Sequence, residues 1–306
     1  MSSPTSPASA SASLSAPAIV ARLRAAGCVF AEDEAELLIA EARAADELAV
    51  MIERRVAGFP LEQILGWAEF CGLRIAVDGG VFVPRRRTEL LVREATALAH
   101  AKSTSTLPAP SPSPTSDLHS SHPHTSHPLT SRPLIAVDLC CGSGAVGTAL
   151  AHTFSRTLAQ IELYAADIDP AAVACARRNL ASVGGRVYQG DLYEPLPESL
   201  HSRIDILIAN APYVPTEAIG FLPLEARVHE PHVALDGGPD GLDVLRRVVE
   251  AAPQWLAPGG HLLFEVSERQ ASGMVEAVAR SGLIPRVVAC DDLDATAIVA
   301  TAPPAG

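Results

Sequence analysis

Leu134-Ile-Ala-Val-Asp-Leu-Cys-Cys-Gly-Ser-Gly-Ala-Val-Gly147 decides the fold. Leu134 to Leu139 is an apolar run of strand length, and the glycines after it open a helix, so Gly142, Ser143 and Gly144 form a tight turn that a cofactor can approach closely. Gly142, Gly144 and Gly147 satisfy the spacing G-x-G-x-x-G, which suits dinucleotide oxidoreductases and methyltransferases alike. Further strands are predicted at Ile161 to Asp167, Arg186 to Gln189, Ile204 to Ala209 and His261 to Val266, with a closing pair at Pro285 to Cys290 and Thr296 to Ala300. Helical patterns lie between them, clearest at Leu245, Val248, Val249, Ala252 and Leu256. Alternating strands and helices predict an α/β fold with a doubly wound, mostly parallel, seven-stranded Rossmann-like sheet.

In such sheets ligands bind beyond the carboxyl ends of the strands. Ala166-Asp-Ile-Asp-Pro170 ends the second strand about twenty residues past the glycines, where Asp167 can accept from ribose hydroxyls. Asp169 can instead cap the helix through Ala172, Ala176 and Leu180. Gly190-Asp191-Leu192 follows the third strand, where Asp191 can accept from an adenine amino group and Leu192 can pack on the ring. A nicotinamide site would explain the glycines and Asp167 equally well.

The fourth strand runs into Asn210-Ala211-Pro212-Tyr213. Where a planar amide or aryl-amine nitrogen is to be methylated, its lone pair is delocalised, and an enzyme must hold the NH₂ by its hydrogens. The Asn210 side-chain oxygen and the Ala211 carbonyl are both acceptors and can take one hydrogen each, while Tyr213 lies against the planar group. Orientation and acceptors placed where positive charge develops then carry catalysis, and no strong base is needed. A redox enzyme has no use for this tetrapeptide.

On the N-terminal side, residues 1–17 are nearly all Ser, Ala, Pro and Thr and read as a disordered tail. Residues 18–72 read as a small helical domain for substrate recognition, with apolar residues at helical spacing from Ile19 to Val56 and a break near Gly27. Residues 73–101 read as a hairpin and connecting helix. The hairpin is expected to turn at Asp78-Gly79-Gly80, and the helix to begin near Thr88. Residues 102–133, rich in Ser, Thr, Pro and His, read as a flexible insertion, and residues 134–302 as the catalytic domain. His119, His122, His124 and His127 lie in the low-complexity tract, which lacks the fixed geometry a functional metal site needs, so no metal is expected.

The chain has 306 residues and a formal charge of -12, the wrong sign for holding nucleic acid by neutralising phosphates, although Arg85, Arg86 and Arg87 form a local basic cluster. No apolar run is long enough to span a bilayer and no signal peptide is visible, so a cytoplasmic protein is expected. The six cysteines include no C-x-x-C pair, and reduced thiols are expected.

Together these residues resemble the protein-(glutamine-N5) methyltransferases, the HemK/PrmC family, which methylate the glutamine of the Gly-Gly-Gln motif in peptide chain release factors. The likeness runs from about Ile19 to Ala300 outside the low-complexity insert. It takes in Gly58-x-Pro60-Leu-x-Gln63-x-x-Gly66, Phe70-x-Gly72, Val83-Pro84-Arg85, Thr88-Glu89-Leu90-Leu91-Val92 and the Asn210 tetrapeptide. It also includes Glu230-Pro231-x-x-Ala234-Leu235-x-Gly237-Gly238-x-Asp240-Gly241-Leu242 and Glu265-Val266 with Gln270. The resemblance implies a class I methyltransferase sheet, with S-adenosylmethionine held by Cys140, Cys141, Gly142, Ser143, Gly144, Asp167, Asp191, Leu192 and Asn210. It implies that Asn210, Pro212 and Tyr213 are catalytic, that Asn210 to Tyr213 grip the glutamine, and that Pro84 and Arg85 belong to a loop closing the site.

Three departures from the family pattern stand out. Cys140 and Cys141 replace a loop glycine and threonine, a change tolerable where they avoid positive φ. Ala211 replaces the usual second proline, keeping the carbonyl but loosening the turn. Arg86 and Arg87 stand where a proline and a glutamate are common. An N-methyltransferase of DNA or RNA amino groups faces the same lone-pair problem and is the alternative. A non-catalytic binding protein with this fold is the third reading, opposed by the intact Asn210, Pro212 and Tyr213.

Overall fold

The computed structural model describes residues 15–105, 132–156 and 160–305. Most of the expected tail, the core of the expected insertion and the four tract histidines lie outside the described residues.

Three helices open the chain: α1 (Ala16–Ala25), α2 (Ala31–Glu41) and α3 (Ala45–Val56), followed by the single turn α4 (Leu61–Leu65). They bury Ile19, Leu23, Leu38 and Ile52 against one another. The chain breaks at Gly27, as expected, and again between α2 and α3. Helix α1 begins inside the segment read as a tail, because Pro17 falls in the first helical turn, where its missing N–H costs nothing.

The hairpin is displaced from its expected position. Strands β1 (Trp67–Phe70) and β2 (Leu73–Ala76) pair antiparallel about a two-residue turn, Cys71-Gly72, with φ of 51° and 71°. Positive φ at both turn positions matches the right-handed twist of the strands, and this backbone choice overrode the stronger composition signal at Asp78-Gly79-Gly80. Arg86–Thr88 then form a short 3-10 turn leading into α5 (Glu89–Ser105). Helix α5 begins directly after Thr88, as expected, and Thr88 itself is 1% exposed and donates its hydroxyl to Glu265. The backbone of α5 continues to Ser105, four residues into the segment read as insertion, since its last turns contain the good helix formers Ala99, Ala101 and Lys102.

The C-terminal half alternates β3 (Leu134–Leu139), α6 (Ala145–Ser155), β4 (Ile161–Asp167), α7 (Pro170–Ala181), β5 (Arg186–Gln189) and β6 (Ile204–Ala209). After a short α8 (Leu224–His229) come α9 (Asp243–Trp255), β7 (Leu256–Val266), α10 (Glu268–Arg280), β8 (Ile284–Cys290) and β9 (Ala295–Thr301). The seven strands stand in the order β5-β4-β3-β6-β7-β9-β8. The first five are parallel, and β9 pairs antiparallel with both β7 and β8. One face of the sheet packs on α9 and α10 through Leu245, Val248, Met274 and Val278. The other packs on α5, α6 and α7 through Leu91, Leu150, Phe154 and Leu180. Strand order reverses direction between β3 and β6, which makes the carboxyl edge there the crevice in which such sheets bind ligands.

Candidate active site

The strand register assembles the site. Leu139 pairs with Ala166 of β4 and Ala209 of β6, Asp167 with Gln189 of β5, and Ala209 with Phe264 of β7. The first residues past those pairs, Cys140, Gly190-Asp191, Asn210 and Glu265, therefore emerge side by side along one edge, and Asp167 closes β4 on the same edge.

A cavity of about 470 Å³ opens there, walled by Cys140, Gly142, Asp167, Asp191, Leu192 and Asn210, with Pro212 at its rim. An ideal Cβ on Gly142, whose φ is 53°, meets nothing within 4 Å, so a ligand can lie directly on the backbone. Gly144 and Gly147 have another duty. A Cβ on Gly144 would stand 3.1 Å from that of Ala176 in α7, and one on Gly147 3.3 Å from the Asp138 carboxylate. Of the three glycines, one is open to the cavity and two allow close packing.

Asp167 accepts from Gly142 N–H at 2.8 Å and Asp169 N–H at 2.9 Å while still lining the cavity. Burial pushes its carboxyl above the ordinary range, and those two backbone donors oppose the rise. Asp169 caps α7 by accepting from Ala171 N–H. Asp191 is held by Arg247 at 2.6 Å. Leu192 is buried at a φ of 50°, a costly conformation for this side chain that turns it into the cavity wall. Cys140 also has positive φ, 52°, so the residue in the usual glycine position does carry left-handed backbone. Cysteine is accommodated at a cost of about 1 kcal/mol, contrary to the expectation that tolerance required avoiding it.

Cys141, Ser143 and Pro84 line a narrow cavity of about 30 Å³ that shares Cys140, Gly142 and Asn210 with the large one. Asp138 sits at its base, 1% exposed. One carboxylate oxygen accepts from Gly147 N–H at 2.9 Å, and the other is buried without a partner. Loss of hydration raises its pKa from 3.8 to about 7. An orphaned carboxylate oxygen beside a backbone cradle fits a ligand with a cationic or hydrogen-bond-donating end, which S-adenosylmethionine has.

A third cavity, about 230 Å³, lies across the tetrapeptide and is lined by Arg85, Ala211, Tyr213 and Leu222 together with Asn210 and Pro212. Asn210 thus lines each of these three cavities. The block from Leu235 to Leu242 holds the tetrapeptide in place. Val214 N–H donates to Leu235 O and Gly237 N–H to Val214 O, while Gln270 donates to Tyr213 O. Side chains are excluded at its glycines, since a Cβ on Gly237 would reach 2.7 Å from Pro212 O and one on Gly241 2.3 Å from Tyr213 O. Arg85 spends its guanidinium on both oxygens of buried Glu230, at 2.6 and 2.7 Å, and the same carboxylate accepts from Val83 N–H. This pins the Pro84-Arg85 loop to the sheet domain.

Sequence reasoning did not assign the side chains behind the tetrapeptide. Tyr213 donates its hydroxyl to Glu265 at 2.8 Å; burial and that carboxylate push the phenol well above its usual range, so it stays protonated. Arg87 lies 3.3 Å from the same carboxylate. Thr88 and Glu265 belong to motifs already visible in the chain, but only the fold shows them touching. Among the described residues no cluster of potential metal ligands occurs, and no helix is long and apolar enough to cross a membrane.

A mostly parallel sheet with a glycine turn at its switch point is the frame of an S-adenosylmethionine-dependent methyltransferase, and the model of the methyltransferase small domain family matches residues 128–230. The chain is 35% identical over 243 residues to the release factor glutamine methyltransferase of Geobacter sulfurreducens, covering 78% of this chain and 72% of that protein. It is 32% identical over 294 residues to the protein of the same name from Mycolicibacterium smegmatis, covering 90% and 92%. The chain belongs to the release factor glutamine methyltransferase family. A 4-amino-L-phenylalanine/4-methylamino-L-phenylalanine methyltransferase from Streptomyces pristinaespiralis is 32% identical over 214 residues, 70% of this chain and 63% of that one.

Proposed function

We propose that the protein transfers a methyl group from S-adenosylmethionine to the side-chain amide nitrogen of a protein glutamine, that of the Gly-Gly-Gln motif in a peptide chain release factor, in the cytoplasm. The observation that carries this reading is the position of Asn210 to Tyr213, clamped between the large cavity and the 230 Å³ one. Cys140, Gly142, Asp167, Asp191 and Leu192 hold the cofactor from the large cavity, with Cys141, Ser143, Gly144 and the orphaned Asp138 oxygen shaping the adjoining loop. When bound, the cofactor would supply the electrophilic methyl, leaving as S-adenosylhomocysteine when its S–CH₃ bond is exchanged for N–CH₃, with one amide proton lost to solvent. Asn210 Oδ1 and the Ala211 carbonyl accept the two amide hydrogens, turning the nitrogen lone pair toward that methyl, and Tyr213 and Pro212 flank the amide plane. The helices of residues 18–72, with Pro84 and Arg85, bind the protein substrate around the glutamine. The names of the relatives support the substrate, and a net charge of -12 opposes nucleic acid.

The relative named for an aromatic amine supports a second reading, a free amino acid bearing an arylamine, which poses the same lone-pair problem. Purified protein incubated with labelled S-adenosylmethionine and, separately, release factor, its Gln→Ala variant, tRNA and 4-aminophenylalanine distinguishes them. Label on release factor, lost with the glutamine, is expected. Label on tRNA or the free amino acid alone would replace the proposal.

A further inference from the structure

Glu265 is a carboxylate buried to 3% exposure at the end of β7, and its oxygens are divided between the two ends of the tetrapeptide. Oε1 accepts from Tyr213 at 2.8 Å, and Oε2 accepts from Thr88 Oγ1 at 2.8 Å. Thr88 Oγ1 in turn lies 3.4 Å from Asn210 Nδ2. A carboxylate flanked by Arg87 and two hydroxyls offers acceptors only, and a threonine hydroxyl has a single hydrogen. That hydrogen is committed to Glu265, so toward Asn210 the Thr88 oxygen can only accept. Of the two faces of the Asn210 amide, only the NH₂ is compatible with it; the flipped amide would set two oxygens against each other with no proton between them. The 3.4 Å contact is long and contributes little energy of its own, yet it decides between two orientations otherwise alike in shape.

We propose that Glu265, acting through Thr88, is a positioning residue that sets the polarity of the Asn210 amide, so that Oδ1 and not Nδ2 faces the substrate. The inference rests on the reading of Asn210 as the acceptor for the substrate NH₂. It also gives one carboxylate a second task, anchoring Tyr213 at the far end of the same turn. The sheet delivers both, because Phe264 pairs with Ala209 and the next residue of each strand is Glu265 and Asn210.

The test uses Thr88→Val, Thr88→Ser and Glu265→Gln in the full chain. In ¹H–¹⁵N spectra, the Asn210 side-chain amide is assigned by its loss in Asn210→Asp. It should be one sharp pair in the parent and in Thr88→Ser, and shifted or broadened in Thr88→Val and Glu265→Gln, where both orientations are populated. With a glutamine peptide, kcat should fall roughly 10-fold in Thr88→Val and Glu265→Gln, short of the loss expected from removing the acceptor itself. Thr88→Ser should restore kcat, and affinity for S-adenosylhomocysteine should stay within about twofold throughout. In an Asn210→Ala background, Thr88→Val should cost nothing further, since it acts only through Asn210. An unchanged Asn210 signal in both Thr88→Val and Glu265→Gln, or additive losses in the double variant, would overturn the proposal. Absence of glutamine methylation by the parent would sink the proposed function instead, while the amide spectra would still report the polarity.

Discussion

On the proposed reading, Asn210 is the residue on which the chemistry turns. Replacing it with Ala removes an oriented acceptor at the charge that develops in the transition state, and turnover should fall ~10²-fold or more. The melting curve should hardly move, because the side chain faces cavities and, among the described residues, hydrogen-bonds only Thr88. Near-normal turnover in that variant would reduce the tetrapeptide to a turn. Restoring proline at 211 should leave the rate equal or better, by stiffening the backbone. Asp138 makes a different residue-scale prediction. Its folded pKa, about 7, lies above the ordinary 3.8, so its contribution to stability is full below about pH 4, falls as pH rises toward 7 and is gone above it. Asp138→Asn keeps an acceptor for Gly147 N–H and removes the titration. In cofactor-free protein, its denaturation midpoint should therefore gain on the parent as pH rises from 5 to 8, by an amount on the order of 2–4 kcal/mol. A constant difference across that range would mean that the carboxyl is solvated after all.

At the scale of the element, the turn between β3 and α6 separates two jobs that one glycine motif had merged. Gly142→Ala and Gly144→Ala both force alanine into positive φ, costing about 1 kcal/mol each. Only at 144 does the new methyl also meet α7, 3.1 Å from the Ala176 Cβ. Gly144→Ala should thus lower the melting temperature clearly, by about 2 kcal/mol or more in stability, whereas Gly142→Ala should melt near the parent and bind S-adenosylhomocysteine more weakly. Melting scans and calorimetry on the pair check this; equal effects on both readouts would refute the division. The hairpin teaches the same lesson in reverse. Asp78-Gly79-Gly80 carries the stronger composition signal and does form a tight turn, with Val81 N–H on Asp78 O, but the strands pair about Cys71-Gly72, where pairing of Phe70 with Leu73 buries Phe70 and Ile75 fully.

At the scale of the molecule, the two halves are joined by polar ties that no local pattern announces. Arg55 bridges Glu34 within the helical half and Glu225 beside the site; Gln63 donates to His229 O; Arg85 grips Glu230. Arg132 clasps buried Asp205 with two bonds of 2.8 Å at the start of β3. Deleting 103–131, as the composition invites, would cut into α5. Replacing 106–131 by a short Gly/Ser linker should leave melting and turnover nearly unchanged, since the closure entropy of a flexible connection varies only logarithmically with its length. Extending the cut through Arg132 should cost about 1–3 kcal/mol by taking the two guanidinium hydrogen bonds from the buried Asp205 carboxylate. Parallel melts of the two deletions decide the matter, and similar stability in both would show that the ion pair is unimportant.

By itself the sequence determined the parts of this protein whose signals are local. Strands β3, β4 and β6 fall where apolar-rich runs placed them, because a buried parallel strand is mostly apolar, and Asn210 to Tyr213 stands out in the sequence because the chemistry proposed for it is contained in four consecutive residues. Glu265, Thr88 and Asn210 were each visible in a motif, yet they are 55 to 177 residues apart in pairwise separation. Only the tertiary structure decided that one carboxylate stands behind both ends of the tetrapeptide. Strand register, set by the packing of entire faces, brings Ala209 beside Phe264, and the proton inventory of the side chains that follow does the rest.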